Sequence, residues 1–440
     1  MDGSGNDAQQ ANEGAITRWL RTTNTAVFSA YTVVAAFVSY LSMYGFRKAF
    51  AAGKYEGAIA IPLVGSLDKK TLFVIAQVLG YCISKFLGIK VVSEMKPGQR
   101  ALAILACIGV AETGLVLFGV LPAPISAVGM IINGLPLGMI WGLVFGFLEG
   151  RRVSDFLGAG LCASFIVGSG FAKTIGEIVL GWGVPEVWMP AVTGALYFPS
   201  LALTVGMLWQ LPPPSTEDER LRTKRVPMDG AARLAFFRKY APGLVALVAG
   251  YVVLTALRDF QDNFARELWD SLGYAKNPSV LTTSQIPVAA GAVASVGLVM
   301  WIRNNRRALL ATHILMIFGA ILAGVATLLY QMGIFGPVVW MISVGLGLYI
   351  GYVPFNCVLF DRLIAATGSI GTAGFLIYVA DAFGYFGSTV LLLYKSLGQP
   401  KLPWLAFFEG IGYAAAGACT VLFGLSAAYF WFRPNEASVS

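Results

Sequence analysis

Twelve stretches of mostly apolar residues run through the chain, at 26–50, 70–92, 100–120, 125–148, 156–180, 190–211, 241–263, 283–302, 308–331, 335–360, 367–394 and 404–432. Each approaches or exceeds the roughly 20 residues a helix needs to cross a hydrocarbon core ~30 Å thick. Inside lipid a segment must satisfy its own backbone N–H and C=O groups, which the α-helix does. The composition agrees, being 57% hydrophobic and 12% charged with a mean hydropathy of +0.71, too little charge to cover a soluble surface. The chain therefore reads as an all-α membrane protein with twelve transmembrane helices, and the bilayer is its first partner. Its 51 glycines suit helices that pack backbone to backbone. A net charge of +8 would point to nucleic acid in a soluble protein; here basic loops account for it, and no nucleic-acid partner is expected.

One interval breaks the pattern. Residues 212–240, PPPSTEDERLRTKRVPMDGAARLAFFRKY, are proline-led and highly charged. They divide the chain into a tail at 1–25, six spans over 26–211, a linker over 212–240, six spans over 241–432 and a short tail at 433–440. Of the 31 lysines and arginines, nineteen fall on the side of the N-terminus, eight on the opposite side and four within spans. That bias puts both termini in the cytoplasm of a cell membrane, as in a multi-pass protein of a bacterial inner membrane. The first 25 residues carry no apolar core with a small-residue cleavage site, so the first span is expected to be retained.

The halves also repeat. Arg47 near the end of the first span matches Arg258 near the end of the seventh; Glu149, Arg151 and Arg152 match Asp361 and Arg362; Gly158 matches Gly371. The basic residues after span 2 recur as Arg303, Arg306 and Arg307, and all these offsets are about 210 residues. An internal duplication of six spans, joined by a charged linker, predicts two six-helix pseudo-repeats with a solute site near the midplane between them, the major facilitator architecture.

Tyr40, Tyr44 and Arg47 are spaced i, i+4, i+7 and share one helical face. Two readings are open for the arginine. It snorkels to the headgroups from a helix end, with the tyrosines in an interfacial belt. Alternatively it lines a central pathway, where an intramembrane charge marks function. The duplicated Arg258 favours the second, because two cations facing each other gain nothing unless an anion lies between them. A guanidinium is a planar fork of donors that fits phosphate or carboxylate oxygens two at a time. Lys85, one turn beyond Tyr81 in YCISKF, is the third candidate cation, with snorkelling again the alternative.

With those residues in view, Tyr40-x3-Tyr44-x2-Arg47 followed by YCISKFLG resembles the organophosphate:phosphate antiporter branch of the major facilitator superfamily. The resemblance implies a phosphate site lined by Tyr40, Tyr44, Arg47, Tyr81, Lys85 and Arg258. Through GYVP in the tenth span and GTAGFLIYVADAFGYFG in the eleventh, it also implies Tyr352 and Tyr385. The stretch GRRVSDFLGAGLCASFIVGSG across spans 4 and 5 is similar too. Where that branch has a histidine in span 5 this chain has Ser164, and Thr255 stands where it has a seventh-span tyrosine.

Further charges are candidates for coupling or gating. Lys173 and Glu177 are i, i+4 and are expected to pair with each other. Asp381 lies deep in span 11, placed either to latch Lys85 across the halves or to carry a proton. Asp259 and Asp262 flank Arg258 and compensate its charge when no solute is bound. Glu112 in span 3 has no assignment, and the single histidine, His313, near the inner end of span 9, reads as structural or interfacial. The five cysteines are scattered through apolar runs and suit neither a disulfide framework nor a metal. No nucleophile–base set, metal spacing or glycine-rich nucleotide loop is present, so neither an enzyme nor a cofactor is expected. The expectation is a monomeric secondary transporter that moves a small organic anion, an organophosphate or phosphate, by alternating access. A transporter-like sensor of a phosphorylated metabolite and a proton-coupled symporter of another solute are the alternatives.

Overall fold

The computed structural model describes residues 14–61, 65–149, 151, 153–214, 230–367 and 373–433. Twelve helices in it are long and apolar enough to cross a membrane. They are α1 Thr25–Lys48, α2 Lys69–Glu94, α3 Arg100–Val120, α4 Ser126–Leu148, α5 Ser154–Gly181 and α6 Met189–Trp209 in the first half. The second half holds α7 Gly230–Asn263, α8 Gln285–Met300 (with the short turn of helix Val280–Thr283 before it, a span of 21 residues), α9 Asn305–Gln331, α10 Pro337–Cys357, α11 Ala373–Leu393 and α12 Trp404–Phe432. Local chemistry starts several of them: the side chains of Asn24, Asp68 and Asn304 accept from the backbone N–H groups of Val27, Thr71 and Arg307 and satisfy donors the helix cannot. With an even number of crossings, α1 begins and α12 ends on the same face, called here the terminal face. Exposed Trp19, Trp209, Trp301 and Trp431 surround that face, and Trp182 and Trp188 mark the opposite one, as in the aromatic belts of membrane proteins.

The helices pack as two copies of one pattern. In the first half α1 packs on α5 and α6, α2 on α4, and α3 on α4 and α6. In the second, α7 packs on α11 and α12, α8 on α10, and α9 on α10 and α12. The halves meet through α2 against α11 and α5 against α8, the same contact made twice with the halves exchanged. Glycine fixes one crossing in each copy. A Cβ on Gly114 of α3 would collide with the carbonyl of Gly129 in α4, and one on Gly319 of α9 with the carbonyl of Gly347 in α10. Only residues without a side chain allow backbones this close.

Two elements depart from the sequence reading. The link from α1 to α2 contains a 3-10 turn, Ala49–Ala52, and an antiparallel hairpin, β1 Ala58–Ile61 with β2 Gly65–Asp68, Ile59 opposite Leu67. Glu186 pins it, accepting from the backbone N–H groups of Lys54 (2.8 Å) and Tyr55 (3.0 Å). The other departure is α7, which starts at Gly230 rather than 241, so the last third of the expected linker is helix. Phe236 and Tyr240 are buried there and Arg433 donates to the Lys239 carbonyl, so α12 gives this charged stretch a surface to fold on. Residues 215–229, the rest of the linker's charge run, lie outside the described residues, as do Arg152, Gly371 and most of both tails.

Candidate functional site

The site begins where α1 tightens into its 3-10 turn. That change frees the carbonyls of the last α-helical turn, and two buried amides take them up. Asn133 of α4 donates to the carbonyls of Phe46 and Ala111, both at 3.0 Å. Gln77 of α2 donates to the Arg47 carbonyl at 2.9 Å and to Asn133 Oδ1 at 2.7 Å. The backbone at Arg47 is therefore held from α2 and α4. Its side chain turns inward: the residue is 3% exposed and its guanidinium lies 3.7 Å from the Tyr81 ring and 5.9 Å from that of Tyr44. Tyr40 stands edge-on to Tyr44, ring centroids 5.7 Å apart.

Arg258 on α7 makes the corresponding arrangement with α10. It is 5% exposed, and its guanidinium lies 4.2 Å from the ring of Tyr352 and 5.9 Å from that of Tyr349. Tyr385 of α11 joins the two. Its ring is 4.7 Å from Tyr81 and 5.4 Å from the Arg47 guanidinium, and its hydroxyl lies within electrostatic reach of both arginines. The snorkelling alternative does not describe these side chains, because neither turns to a headgroup region. Their donors are not all used: Arg47 Nε, Arg258 Nε and Arg258 Nη2 are buried without a hydrogen bond.

Lys85 is buried as well, with Nζ 2.8 Å from Asp381 Oδ2 on α11. Tyr251 of α7 donates to the other oxygen of the same carboxylate. The ring of Tyr251 stacks on Tyr352, centroids 5.3 Å apart, which returns the chain of contacts to Arg258. Lys85, Asp381, Tyr251, Tyr352 and Arg258 thus form one connected polar core spanning both halves. Tyr378 packs over Lys85 at 5.3 Å.

Toward the opposite face a second set of ion pairs crosses between the halves, and here two expectations are corrected. Lys173 and Glu177 do not pair with each other. Lys173 Nζ is 2.5 Å from Asp262 Oδ1, and Glu177 Oε1 is 2.7 Å from Arg266 Nη1. The i, i+4 spacing permitted the intrahelical pair, but α5 faces the end of α7 and the short helix Ala265–Ser271 after it, which offer partners across the interface. Asp262 likewise does not serve Arg258; it binds Lys173 and, through Oδ2 at 2.7 Å, Lys48. Asp259 does lie beside Arg258, but at 3.9 Å, and shares itself with Lys48 at 3.5 Å. Lys48, which the charge count treats as an outer-loop residue, is buried at the interface and also donates to Asn263 Oδ1 at 2.7 Å. Lys70 pairs with Glu267 and Lys54 with Asp270 across the same seam. Thr174 and Thr282 meet there, Oγ1 to Oγ1 at 2.7 Å.

The sequence reading passes over Tyr251, Tyr349, Tyr378 and Lys48. Two of these carry a signal. Tyr251 precedes Arg258 by seven residues, as Tyr40 precedes Arg47, and Lys48 and Asp259 each follow their arginine. The duplicated positions 48 and 259 carry opposite charges, and those charges meet across the axis between the halves. Buried Arg47, Lys48, Lys85, Lys173 and Arg258 stand with two buried carboxylates, Asp259 and Asp381, and the partly exposed Asp262, while buried Lys70 takes Glu267. Such a core is chemically suited to receive negative charge. Among the described residues no group of His, Cys, Asp and Glu stands together as metal ligands. The five cysteines are free, and His313 is buried against the Leu309 carbonyl (2.8 Å) and Ser426 Oγ (3.1 Å), as its structural reading expects.

The fold is that of major facilitator transporters. A D-xylose–proton symporter superposes with a TM-score of 0.61 at 14% identity, covering 93% of this chain and 98% of its own. A peptide transporter, POT, in complex with sulfate gives 0.56 at 15%, covering 91% and 94%. The human organic anion transporter MFSD10 gives 0.53 at 13%, covering 90% and 99%. No curated protein matches by sequence. The sequence pattern of a family of unknown function, DUF5690, matches residues 49–433, and the chain belongs to that family.

Proposed function

We propose that this protein is an alternating-access transporter that carries a small organic anion, a phosphate ester or phosphate, between its two six-helix halves. One observation carries the reading. Two arginines at duplicated positions turn inward, Arg47 onto Tyr81 and Tyr385 and Arg258 onto Tyr352, with guanidinium donors left without hydrogen bonds, in a core where buried cations outnumber carboxylates. Buried donors without an acceptor are costly, and an anion bridging the halves supplies the missing acceptors. The tyrosine hydroxyls offer neutral hydrogen bonds to its organic part. Bound between the halves, the solute replaces interactions that each half otherwise makes alone, which favours exchange of one anion for another over return of the empty carrier. The three structural neighbours are transporters, one of them for organic anions.

The test uses purified protein in proteoliposomes. Inorganic phosphate, glycerol phosphate, hexose phosphates and dicarboxylates are screened first by thermal shift and then by counterflow. The reading expects one phosphate-bearing class to stabilise the protein and to exchange, and Arg47→Ala and Arg258→Ala to remove exchange while the protein stays folded. Normal exchange by either variant removes the proposal.

A further inference from the structure

Glu112 of α3 is a membrane-embedded carboxyl that the anion site does not use. The residue is half-buried; its Oε2 is buried and has no hydrogen-bond partner, and it makes no ion pair among the described residues. The surroundings are shaped to receive it. A Cβ on Gly194 of α6 would strike Glu112 Oε2 and the ring of Phe46, so that glycine leaves the space the carboxyl fills. A Cβ on Gly45 of α1 would strike the ring of Tyr197, so α1 likewise makes room for α6's tyrosine. Thr193 Oγ1 and Tyr197 OH, on the same helix as Gly194, are also buried without partners. From α1 the neighbour is Phe46; the next residue, Arg47, turns its guanidinium away onto Tyr81. From α4 comes Asn133, a neutral amide. Among the described residues no cation pairs with Glu112, and of the groups named here on these helices only Tyr197 titrates. An ionised carboxyl left alone in such a place is strongly disfavoured, and the proton is the ligand that removes its charge.

The same carboxyl is wired to the anion site. Asn133 binds the Ala111 carbonyl, immediately before Glu112, and the Phe46 carbonyl, immediately before Arg47. Gln77 joins Asn133 to the Arg47 carbonyl. A shift of α3 at Glu112 therefore moves the backbone that carries Arg47. We propose that Glu112 is a proton-binding site, neutral in this conformation and linked through Asn133 to the anion site at Arg47. Whether the proton travels with a solute rests on the transporter reading above; the protonation of Glu112 does not. The sign follows from charge. A bound anion disfavours a second negative charge nearby, so it holds the proton on, and the proton in turn tightens the anion.

Infrared difference spectra of the purified protein in lipid nanodiscs test this, with Glu112→Gln as the neutral, near-isosteric reference and Glu112→Asp as the variant that keeps a carboxyl. The wild-type protein at neutral pH is expected to show a protonated-carboxyl C=O band that Glu112→Gln lacks and Glu112→Asp retains. The band should titrate away at higher pH. Saturating inorganic phosphate should move that titration upward by at least one pH unit, a tenfold tightening of the proton. Superimposable wild-type and Glu112→Gln spectra in this region overturn the proton site. Phosphate that binds by thermal shift yet leaves the titration in place overturns the linkage. Phosphate that does not bind counts against the transport reading, and the band alone then decides the proton site.

Discussion

Arg47 and Lys48 are adjacent in sequence and point to different tasks. The arginine lies on tyrosine rings with its Nε donor unpaired, whereas the lysine is consumed by Asp259, Asp262 and Asn263. Their variants should separate accordingly. Arg47→Lys keeps the charge but loses the planar fork, and a lost charge-assisted hydrogen bond is worth about 1.5–3 kcal/mol. Exchange should fall on the order of 10- to 100-fold with thermal stability nearly unchanged, read by counterflow and unfolding of the same preparation. Lys48→Ala takes the nearer cation from buried Asp259 and one of two from Asp262; losing one partner of a buried pair costs about 3–5 kcal/mol. Its melting temperature should drop clearly, and Lys48→Asp combined with Asp259→Lys should recover much of the loss. A double variant no more stable than Lys48→Ala would show that the pair does not hold the interface. At this scale Arg47, Arg258, Lys85 and Asp381 are legible because charge inside an apolar run is conspicuous. Tyr251 and Lys48 are not: a tyrosine or lysine near a span end is also what a headgroup region attracts, and their role depends on what faces them.

Helix positions in sequence carry hydropathy but not closeness. Every span is visible as an apolar run, while the crossings are set by single glycines. Gly134 of α4 sits where a Cβ would meet the carbonyl of Gln77. Gly109 of α3 has nothing within 4 Å of the same position. Gly134→Ala should force α2 and α4 apart, lowering the melting temperature. Because Gln77 also holds the Arg47 carbonyl, exchange should suffer too. Gly109→Ala should be neutral or stabilising by up to about 1 kcal/mol, the helix-propensity difference. Equal effects from the two would mean that the close crossing is not what the glycine supplies. The early start of α7 belongs to the same scale. A charged segment looks like a linker until α12 is known to lie beside it and to accept its aromatic residues.

Across the whole molecule, the described ion pairs between the halves lie at the centre and toward the opposite face. The rocking that alternating access requires has to break the outer set. Thr174 of α5 and Thr282 of the turn before α8 touch across that seam. With the five native cysteines replaced, Thr174→Cys with Thr282→Cys should form a disulfide on oxidation. Exchange should fall at least tenfold and return on reduction. Full exchange by the oxidised, cross-linked protein would exclude opening at this face.

What the sequence settled by itself is the part governed by solvent. Twelve apolar runs require twelve helices in lipid, and a repeat of about 210 residues with an arginine in each copy requires two related halves. Partnership was decided only in three dimensions. Lys173 takes Asp262 rather than its neighbour Glu177, Lys85 and Tyr251 divide Asp381, and Tyr385 of the second half lies against Arg47 and Tyr81 of the first. The reason is that hydropathy acts on each residue separately and can be summed along a chain. A buried charge, by contrast, is stable only through the group opposite it, and the packing of the two halves chooses that group.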